Sequence, residues 1–252
     1  MGAHHRVLQE EPRLKISIVV PAFNEERLLA ATLDGVKAAA RIFDDSGGWE
    51  LIVCDNNSTD RTAEIARAAG AQVVFEPHNQ ISRARNRGAA AAAGEWLIFV
   101  DADSVPSAAL FRDLQEAIDS GECVAGGSTI VPEGSLQFRL AIRAWNALSR
   151  ATRWAAGSFI FCERSAFAEL RGFSDELYAS EELELFGRLK TLARRRGKEI
   201  LILHRHPLRT SERKLLLYRR GELLGFLARF LLHPRRTLRN PAACKPWYDG
   251  RR

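Results

Sequence analysis

The 252-residue chain has few features of a membrane-spanning or disulfide-bonded protein. It has no uninterrupted run of about 18 apolar residues, so we expect no membrane-spanning helix. Its four cysteines show no CxxC spacing, which argues against structural zinc and favours a reducing compartment. Residues 1–14 are polar and lack the apolar core of a signal peptide, so we expect a flexible segment there and a cytoplasmic protein.

Acidic residues are scarce towards the C-terminus. Residues 187–252 contain 19 Lys and Arg against 4 Asp and Glu, whereas the whole chain has 37 basic and 31 acidic residues. Such a segment suits anionic partners such as lipid headgroups or phosphorylated acceptors, although a solvated helical face is an equal alternative. We expect no nucleic acid, because the aromatic residues of the segment follow its apolar face instead of offering stacking surfaces.

Residues 215–232 repeat leucine and phenylalanine with helical spacing beside arginines. This pattern fits an interfacial helix, and it fits a helix packed on the core or in a homodimer equally well. Peripheral contact with the inner face of the membrane therefore stays open. We assign residues 215–252 to an amphipathic basic C-terminal helix and tail.

Short apolar runs alternate with helical patterns through residue 100. Strands are predicted at Ile16–Val20, Leu51–Cys54, Ala71–Phe75 and Trp96–Val100, and helices at 25–41, 60–69 and 82–93, with Gly70 and Gly94 as stops. The alternation predicts an α/β fold with a mostly parallel sheet flanked by helices. Further helices are predicted at 107–120, 136–150, 163–170 and 181–196, and strands at 124–131, 158–162 and 200–203.

Polar clusters directly follow three of these strands, at Pro21–Glu26, Asp55–Asp60 and Asp101–Ser104. Ligands of parallel sheets bind at the carboxyl ends of the strands, so we expect a nucleotide there. In the Asp101-Ala-Asp103 motif, one carboxylate can reach a ribose hydroxyl and the other a hard cation. Mn²⁺ or Mg²⁺ prefers oxygen ligands and keeps substrate phosphates in its shell. A helix cap ahead of Ser107 is the alternative.

In chain order, the segments Val20–Glu25, Cys54–Asp60, Arg85–Gly88 and Phe99–Asp103 resemble the motifs of family 2 glycosyltransferases, which have the GT-A fold. The resemblance implies an inverting enzyme that uses a UDP- or GDP-sugar and a divalent cation, Mn²⁺ or Mg²⁺. It also implies a single domain over residues 15–214, with a nucleotide-binding half to about residue 104 and an acceptor half after it.

The resemblance carries roles for individual positions. The residues that match the donor site are Pro21, Phe23, Glu25, Asp55, Arg85 and Asp101. In this match Asp55 pairs with the base, Arg85 lies near the base and phosphates, and Asp101 lies near the ribose. Asp103 matches the metal ligand. The family often has a second acid after Asp55, where this chain has Asn56.

Segments 157–161 and 172–175 resemble the acceptor region of the family, and Ser180–Leu185 aligns with its Glu-Asp motif. Inverting transfer needs a base that deprotonates the acceptor hydroxyl. The match suggests Glu182, where the family usually has Asp, and Glu181 stays open. The alternative is an acidic first turn that only stabilises its helix.

Two positions near the end of the match have weaker roles. His204 follows the last predicted strand, where some relatives place a metal-binding histidine; a surface histidine is the alternative. Residues 210–214 resemble a segment that closes over the diphosphate, in which Arg213 would clamp a phosphate.

Two other functions fit parts of the sequence. A nucleotidyltransferase can also use a parallel sheet and an acid pair, but it needs a Gly-rich basic loop after the first strand, and Pro21–Glu26 has neither glycine nor a basic residue. A non-catalytic sugar-nucleotide binder would leave the Glu181–Glu182 pair without a role.

Overall fold

The computed structural model describes residues 15–131, 135–155, 157–211, 238–240, 242 and 244. The predicted flexible segment 1–14, the predicted helix 215–232 and Arg213 lie outside these residues. Within the described part, no helix is long and apolar enough to cross a bilayer. All four cysteines are buried and free.

The first half alternates strands and helices as predicted, and its four strands are parallel. Its elements are β1 (Ile16–Ala22), α1 (Leu29–Ala40), β2 (Trp49–Asp55), α2 (Thr62–Ala68), β3 (Gln72–Phe75), α3 (Ile81–Ala91) and β4 (Trp96–Val100). β1 and β4 are buried along their whole length, as expected for strands with helices on both faces.

The second half completes a mixed sheet. Its elements are β5 (Ser104–Val105), α4 (Ala108–Asp119), β6 (Cys123–Ile130), α5 (Leu136–Thr152), β7 (Phe159–Glu163), α6 (Arg164–Glu169), α7 (Glu181–Arg195) and β8 (Glu199–Thr210). The strand order is β3-β2-β1-β4-β7-β6-β8-β5. β7 runs antiparallel to both neighbours, and β5 antiparallel to β8, while the other pairings are parallel. The predicted α/β class is confirmed.

The end of the sheet differs from the prediction. β8 continues to Thr210, well past the predicted end at Leu203. The prediction ends early because a polar bulge interrupts the apolar pattern of the strand. Ser128 pairs with Leu203 and Ile130 with Leu208, so residues 204–207 have no partners on β6. The short β5, which was not predicted, pairs with the last residues of β8.

Two helix boundaries have backbone causes. α1 begins at Leu29 instead of Glu25, because Asn24 has φ 52° and the amides of Leu28 and Leu29 both donate to the Glu25 carbonyl. α3 ends at Ala91, before Gly94. A Cβ at Gly94 would lie 2.7 Å from the Ile16 carbonyl carbon, so this glycine permits close backbone contact and is not the helix stop.

The core has one layer on each side of the sheet. Alternate residues of β1 and β4 point to opposite faces, as the period of a strand requires. One face packs against α1, α2 and α4. The other packs against α3, α6 and α7. These two layers fix the edge at which the carboxyl ends of β1, β2 and β4 meet.

Candidate active site

A cleft lies where β1, β2 and β4 end. It has an empty volume of about 430 Å³. The residues that line it are Pro21, Ala22, Phe23, Glu25, Asn56, Asn79, Ile81, Asp101, Ala102 and Asp103. The structure thus brings residues from all three strand-end clusters to one cleft. Asn79 comes from the connection between β3 and α3 and Ile81 is the first residue of α3; nothing in the sequence pattern indicates either of them.

The loops after β1 and β2 are joined by hydrogen bonds. The Asn24 amide donates to Ser58 Oγ, and the Thr59 amide donates to Asn24 Oδ1. The Glu25 amide donates to Thr62 Oγ1 at 2.8 Å. These hydrogen bonds hold the loop after β1 and the loop after β2 together, so this wall of the cleft is preorganised for a ligand.

Asp55 and Asn56 have different surroundings. Asp55 is buried, and its Oδ1 accepts a hydrogen bond from the Ser58 amide. Asn56 lines the cleft, while its Nδ2 donates to the carbonyls of Glu76 and His78 and its Oδ1 accepts from the Gln80 amide. A carboxylate could not donate these two bonds. Where the family often has a second acid, this chain therefore has an amide that hydrogen-bonds the loop between β3 and α3.

Arg85 is a bridge between the two halves of the chain. Its Nη1 donates to Glu181 Oε1 at 2.8 Å, and its Nη2 donates to Asp101 Oδ1 at 3.1 Å and to the Gly157 carbonyl at 3.0 Å. The guanidinium also lies 5.2 Å from the centre of the Phe173 ring. Its side chain is 1% exposed, so it faces protein groups and does not line the cleft.

The charge of Arg85 is secured by these carboxylates. Burial lowers the pKa of Arg85, but the charges of Asp101 and Glu181 outweigh that effect and raise it. Gly157 makes the approach possible, since a Cβ there would lie 2.8 Å from Arg85 Nη2. Arg85 Nε has no partner in the described part of the chain.

The Asp101–Asp103 turn is fixed from both sides. The Asp101 amide donates to the Ser158 carbonyl, and the Ser211 amide donates to the Asp103 carbonyl. Ser104 Oγ donates to Thr210 Oγ1 at 2.9 Å. Asp103 is 8% exposed. The chain that leads into the predicted diphosphate segment at 210–214 therefore begins beside the acid pair.

Glu181 and Glu182 open α7 and differ in burial. Glu181 is buried and bonded to Arg85, whereas Glu182 is partly exposed. Ser180, which precedes them, has φ 60°. After this left-handed residue the helix begins with Glu181 in contact with Arg85. Burial, and then the charge of Glu181, raises the pKa of Glu182 above its ordinary 4.5, although Arg85 opposes the shift.

The segment before α7 is held by side chains that were given no role from sequence. Gln80 Nε2 donates to the carbonyls of Asp175 and Leu177. The Asn86 side chain donates through Nδ2 to the Phe173 carbonyl and accepts at Oδ1 from the Phe173 amide. Asn86 belongs to the Arg85–Gly88 motif, so a signal for it was present. These bonds fix the chain that leads to the glutamates.

His204 lies on the exposed bulge of β8, where its Nδ1 contacts the Ile202 carbonyl. His206 Nδ1 contacts Asp113 Oδ2 at 3.1 Å. The residue after β8 that contacts Asp103 is Ser211, whose amide donates to the Asp103 carbonyl. Across the described ranges, no cluster of three or more His, Cys, Asp or Glu residues is placed to hold a metal. Metal binding by His204 stays a prediction.

Comparison with known proteins gives the same family. The model described as glycosyl transferase family 2 matches residues 17–176. An uncharacterized glycosyltransferase of Mycobacterium tuberculosis is 35% identical over 112 residues, which is 44% of this chain and 47% of that protein. The chain thus matches about half the length of this relative.

Two solved structures share the fold. The mannosyltransferase PcManGT from Pyrobaculum calidifontis, in complex with GDP-Man and Mn²⁺, superposes with a TM-score of 0.67 at 18% identity, over 95% of this chain and 70% of that one. Glucosyl-3-phosphoglycerate synthase from Mycobacterium tuberculosis, with Mn²⁺, UDP and phosphoglyceric acid, gives 0.58 at 22% identity, over 92% and 78%. With its GT-A fold and a family match over residues 17–176, the chain belongs to glycosyl transferase family 2.

Proposed function

We propose that the chain transfers a sugar from a nucleoside-diphosphate sugar to an acceptor hydroxyl, with inversion at the anomeric carbon and with a divalent cation. The observation that carries this proposal is the Arg85 bridge. It connects Asp101, which lines the strand-end cleft, to Glu181 at the start of α7. One buried cation thereby holds a donor-side acid and an acceptor-side acid together.

The donor is assigned to the cleft. Pro21, Phe23, Glu25 and Asp101 line the cleft, and Asp55 directly precedes Asn56, which lines it as well. A nucleotide at this edge follows the general rule for parallel strands. The two structural neighbours were solved with GDP-Man and with UDP, which supports a GDP- or UDP-linked donor here.

The residues present fit a hard divalent cation. Asp103 offers a nearly buried carboxylate at the cleft, and Asp101, whose Oδ1 is bonded to Arg85, also lines the cleft. Mg²⁺ is commonly held by one or two carboxylates together with substrate phosphates and water, so a third protein ligand is not required. When bound, such a cation neutralises the diphosphate as it leaves. Arg213, as a phosphate clamp, and His204, as a further ligand, remain part of the proposal.

Glu182 is assigned as the base that accepts the proton of the acceptor hydroxyl. Glu181 is the alternative, but its carboxylate is already bonded to Arg85 at 2.8 Å and is only 4% exposed. Part of the Glu182 residue is exposed, whereas burial of its carboxyl raises its pKa, and the raised pKa makes its ionised form a stronger base. In this assignment Glu181 positions Arg85. The proton moves from the acceptor oxygen to the Glu182 carboxylate as that oxygen bonds to the anomeric carbon, and the bond from this carbon to the diphosphate breaks.

Turnover of a panel of UDP- and GDP-sugars, with and without Mn²⁺, tests the proposal. We expect nucleotide release that depends on the cation and on an acceptor, and an NMR coupling of the product's anomeric proton that shows inversion. Asp103→Ala should abolish the cation-dependent release, while the matched exposed-site variant Asp34→Ala should not. Donor binding without turnover across the panel would favour a non-catalytic sugar-nucleotide binder. Release of pyrophosphate when a nucleoside triphosphate and a sugar 1-phosphate replace the nucleotide-sugar would favour a nucleotidyltransferase.

A further inference from the structure

Helix α5 packs weakly against the rest of the protein. Only Ser149 is buried among its residues, although the helix runs from Leu136 to Thr152. Leu136 is 69% exposed, Leu140 54% and Leu148 48%. These leucines make up three of the five large apolar side chains exposed in the described part of the chain. A concentration of this kind on one helix indicates a surface that meets another apolar phase.

The outward side of α5 has an ordered pattern. At 100° per residue, the leucines share one arc with the small, mostly exposed residues Ala141, Ala144, Ala147 and Ala151. Arg139, Arg143 and Arg150 form a single exposed row along one border of that arc. The opposite side, with Phe138, Ile142 and Trp145, faces the protein. The helix therefore presents an apolar arc bordered by cations, and we call this surface the α5 face.

Hydrogen bonds hold α5 in place, although few of its side chains are buried. Asn146 Nδ2 donates to the Ile130 carbonyl at 2.8 Å, and the Ile130 amide donates to Asn146 Oδ1 at 3.1 Å. Ser149 Oγ donates to the Trp154 carbonyl, which fixes the end of the helix. The leucines therefore stay on the outer side of an anchored helix.

The charge of this region selects the kind of partner. Residues 135–155 include four arginines and neither aspartate nor glutamate. Arg153 is paired with Glu199, but the three arginines of the row have no ion pair within the described residues. A second copy of the same face would bring one acid-free cationic surface against another, as a twofold contact requires. An anionic partner with an apolar interior satisfies both the arginines and the leucines.

We propose that the α5 face is a membrane-docking surface that lies in the headgroup region of an anionic lipid bilayer. Interfacial helices combine a cationic polar border with leucines that enter the acyl boundary, and their binding grows with buried apolar area and with anionic lipid content. The arginines stay at headgroup level while their stems cover apolar surface. This surface shares no residue with the basic segment 187–252 or with the lining of the donor cleft.

Co-sedimentation of the full chain with phosphatidylcholine vesicles, with and without phosphatidylglycerol, tests the proposal. We expect binding to the anionic vesicles and a loss of roughly tenfold or more in the variant R139Q/R143Q/R150Q, because each basic residue near the surface adds to binding. L136Q/L140Q/L148Q should also lose binding. The control R41Q/R67Q/R112Q removes the same number of charges from exposed positions outside α5 and outside the basic segment 187–252, and it should bind like the wild type.

A cysteine label locates the contact directly. All four native cysteines are buried, so L140C offers an accessible thiol for an environment-sensitive fluorophore. We expect a blue shift with anionic vesicles at position 140, and none for R112C on α4. Equal binding to neutral vesicles, full binding by both α5 variants, or an L140C label that stays in water would overturn the proposal. The proposal would also be overturned if L136Q/L140Q/L148Q bound vesicles like the wild type but had a lower molecular mass in light scattering. That result would make the α5 face a contact between copies of the chain.

Discussion

Arg85→Met should cost the protein much of its stability. The substitution keeps a long side chain but removes the only cation bonded to both Asp101 and Glu181 within the described residues. Glu181 is 4% exposed and Asp101 13%, so water cannot replace the lost bonds fully. Breaking a buried pair by removing one partner costs about 3–5 kcal/mol.

The assay is thermal unfolding followed by circular dichroism. In a domain of 150–250 residues, 1 kcal/mol shifts Tm by about 2–4 °C, so the expected fall is roughly 6–20 °C near neutral pH. Arg87→Met, at an exposed position of the same helix, is the matched control and should change stability by no more than about 0.5 kcal/mol.

The double variant Arg85→Met with Glu181→Gln separates this explanation from a packing defect. Removing the charge of Glu181 as well should restore part of the lost stability, since two groups in one ion network are not additive. A Tm for Arg85→Met within about 2 °C of the wild type, by the same conversion, would refute the buried bridge.

Three further variants test the site. Glu182→Gln should lower kcat by about 10²–10⁴-fold, and it should become more stable relative to the wild type as the pH rises. The sign follows because the raised pKa of Glu182 stabilises the protonated fold, and this advantage is lost when the pH passes through that pKa; a constant stability difference from pH 5 to 9 would contradict it. Asp103→Asn should abolish the Mn²⁺-dependent part of the thermal shift caused by a UDP- or GDP-sugar, and an unchanged shift would remove Asp103 from the metal site. Asn56→Asp should destabilise the fold by about 1–3 kcal/mol, because the part-buried carbonyls of Glu76 and His78 both lose their donor; an unchanged Tm would show that the loop does not depend on this amide.

Much of the fold could be predicted because its signals are local. The alternation of apolar strands and amphipathic helices gave every element of the first half, and Ser107 acts as the cap of α4, with its Oγ accepting from the Leu110 amide. The convergence of three clusters on one cleft followed from the geometry of parallel strands alone. These predictions needed no knowledge of which residues meet across the sheet.

The remaining features depend on long-range contacts. Nothing in the pattern around Arg85 shows that its partners are Asp101 and Glu181, because the second lies 96 residues away. The antiparallel direction of β7 also has no local signature, since a strand buried on both faces has the same composition in either direction. The sequence pattern predicts an early end of β8, because His204, Arg205 and His206 interrupt the apolar residues. The strand pairs with β6 again after the bulge.

The position of β7 has a consequence for how the protein is made. β4 pairs with β1 on one side and with β7 on the other, yet β7 begins at Phe159, long after β4 ends at Val100. While a ribosome synthesises the intervening residues, β4 is the open edge of a finished parallel sheet, and its five residues are all apolar. An unprotected apolar edge is a template for pairing with other chains. The nascent protein should therefore be most prone to aggregation in this interval, and chain arrest before and after residue 163 would measure it.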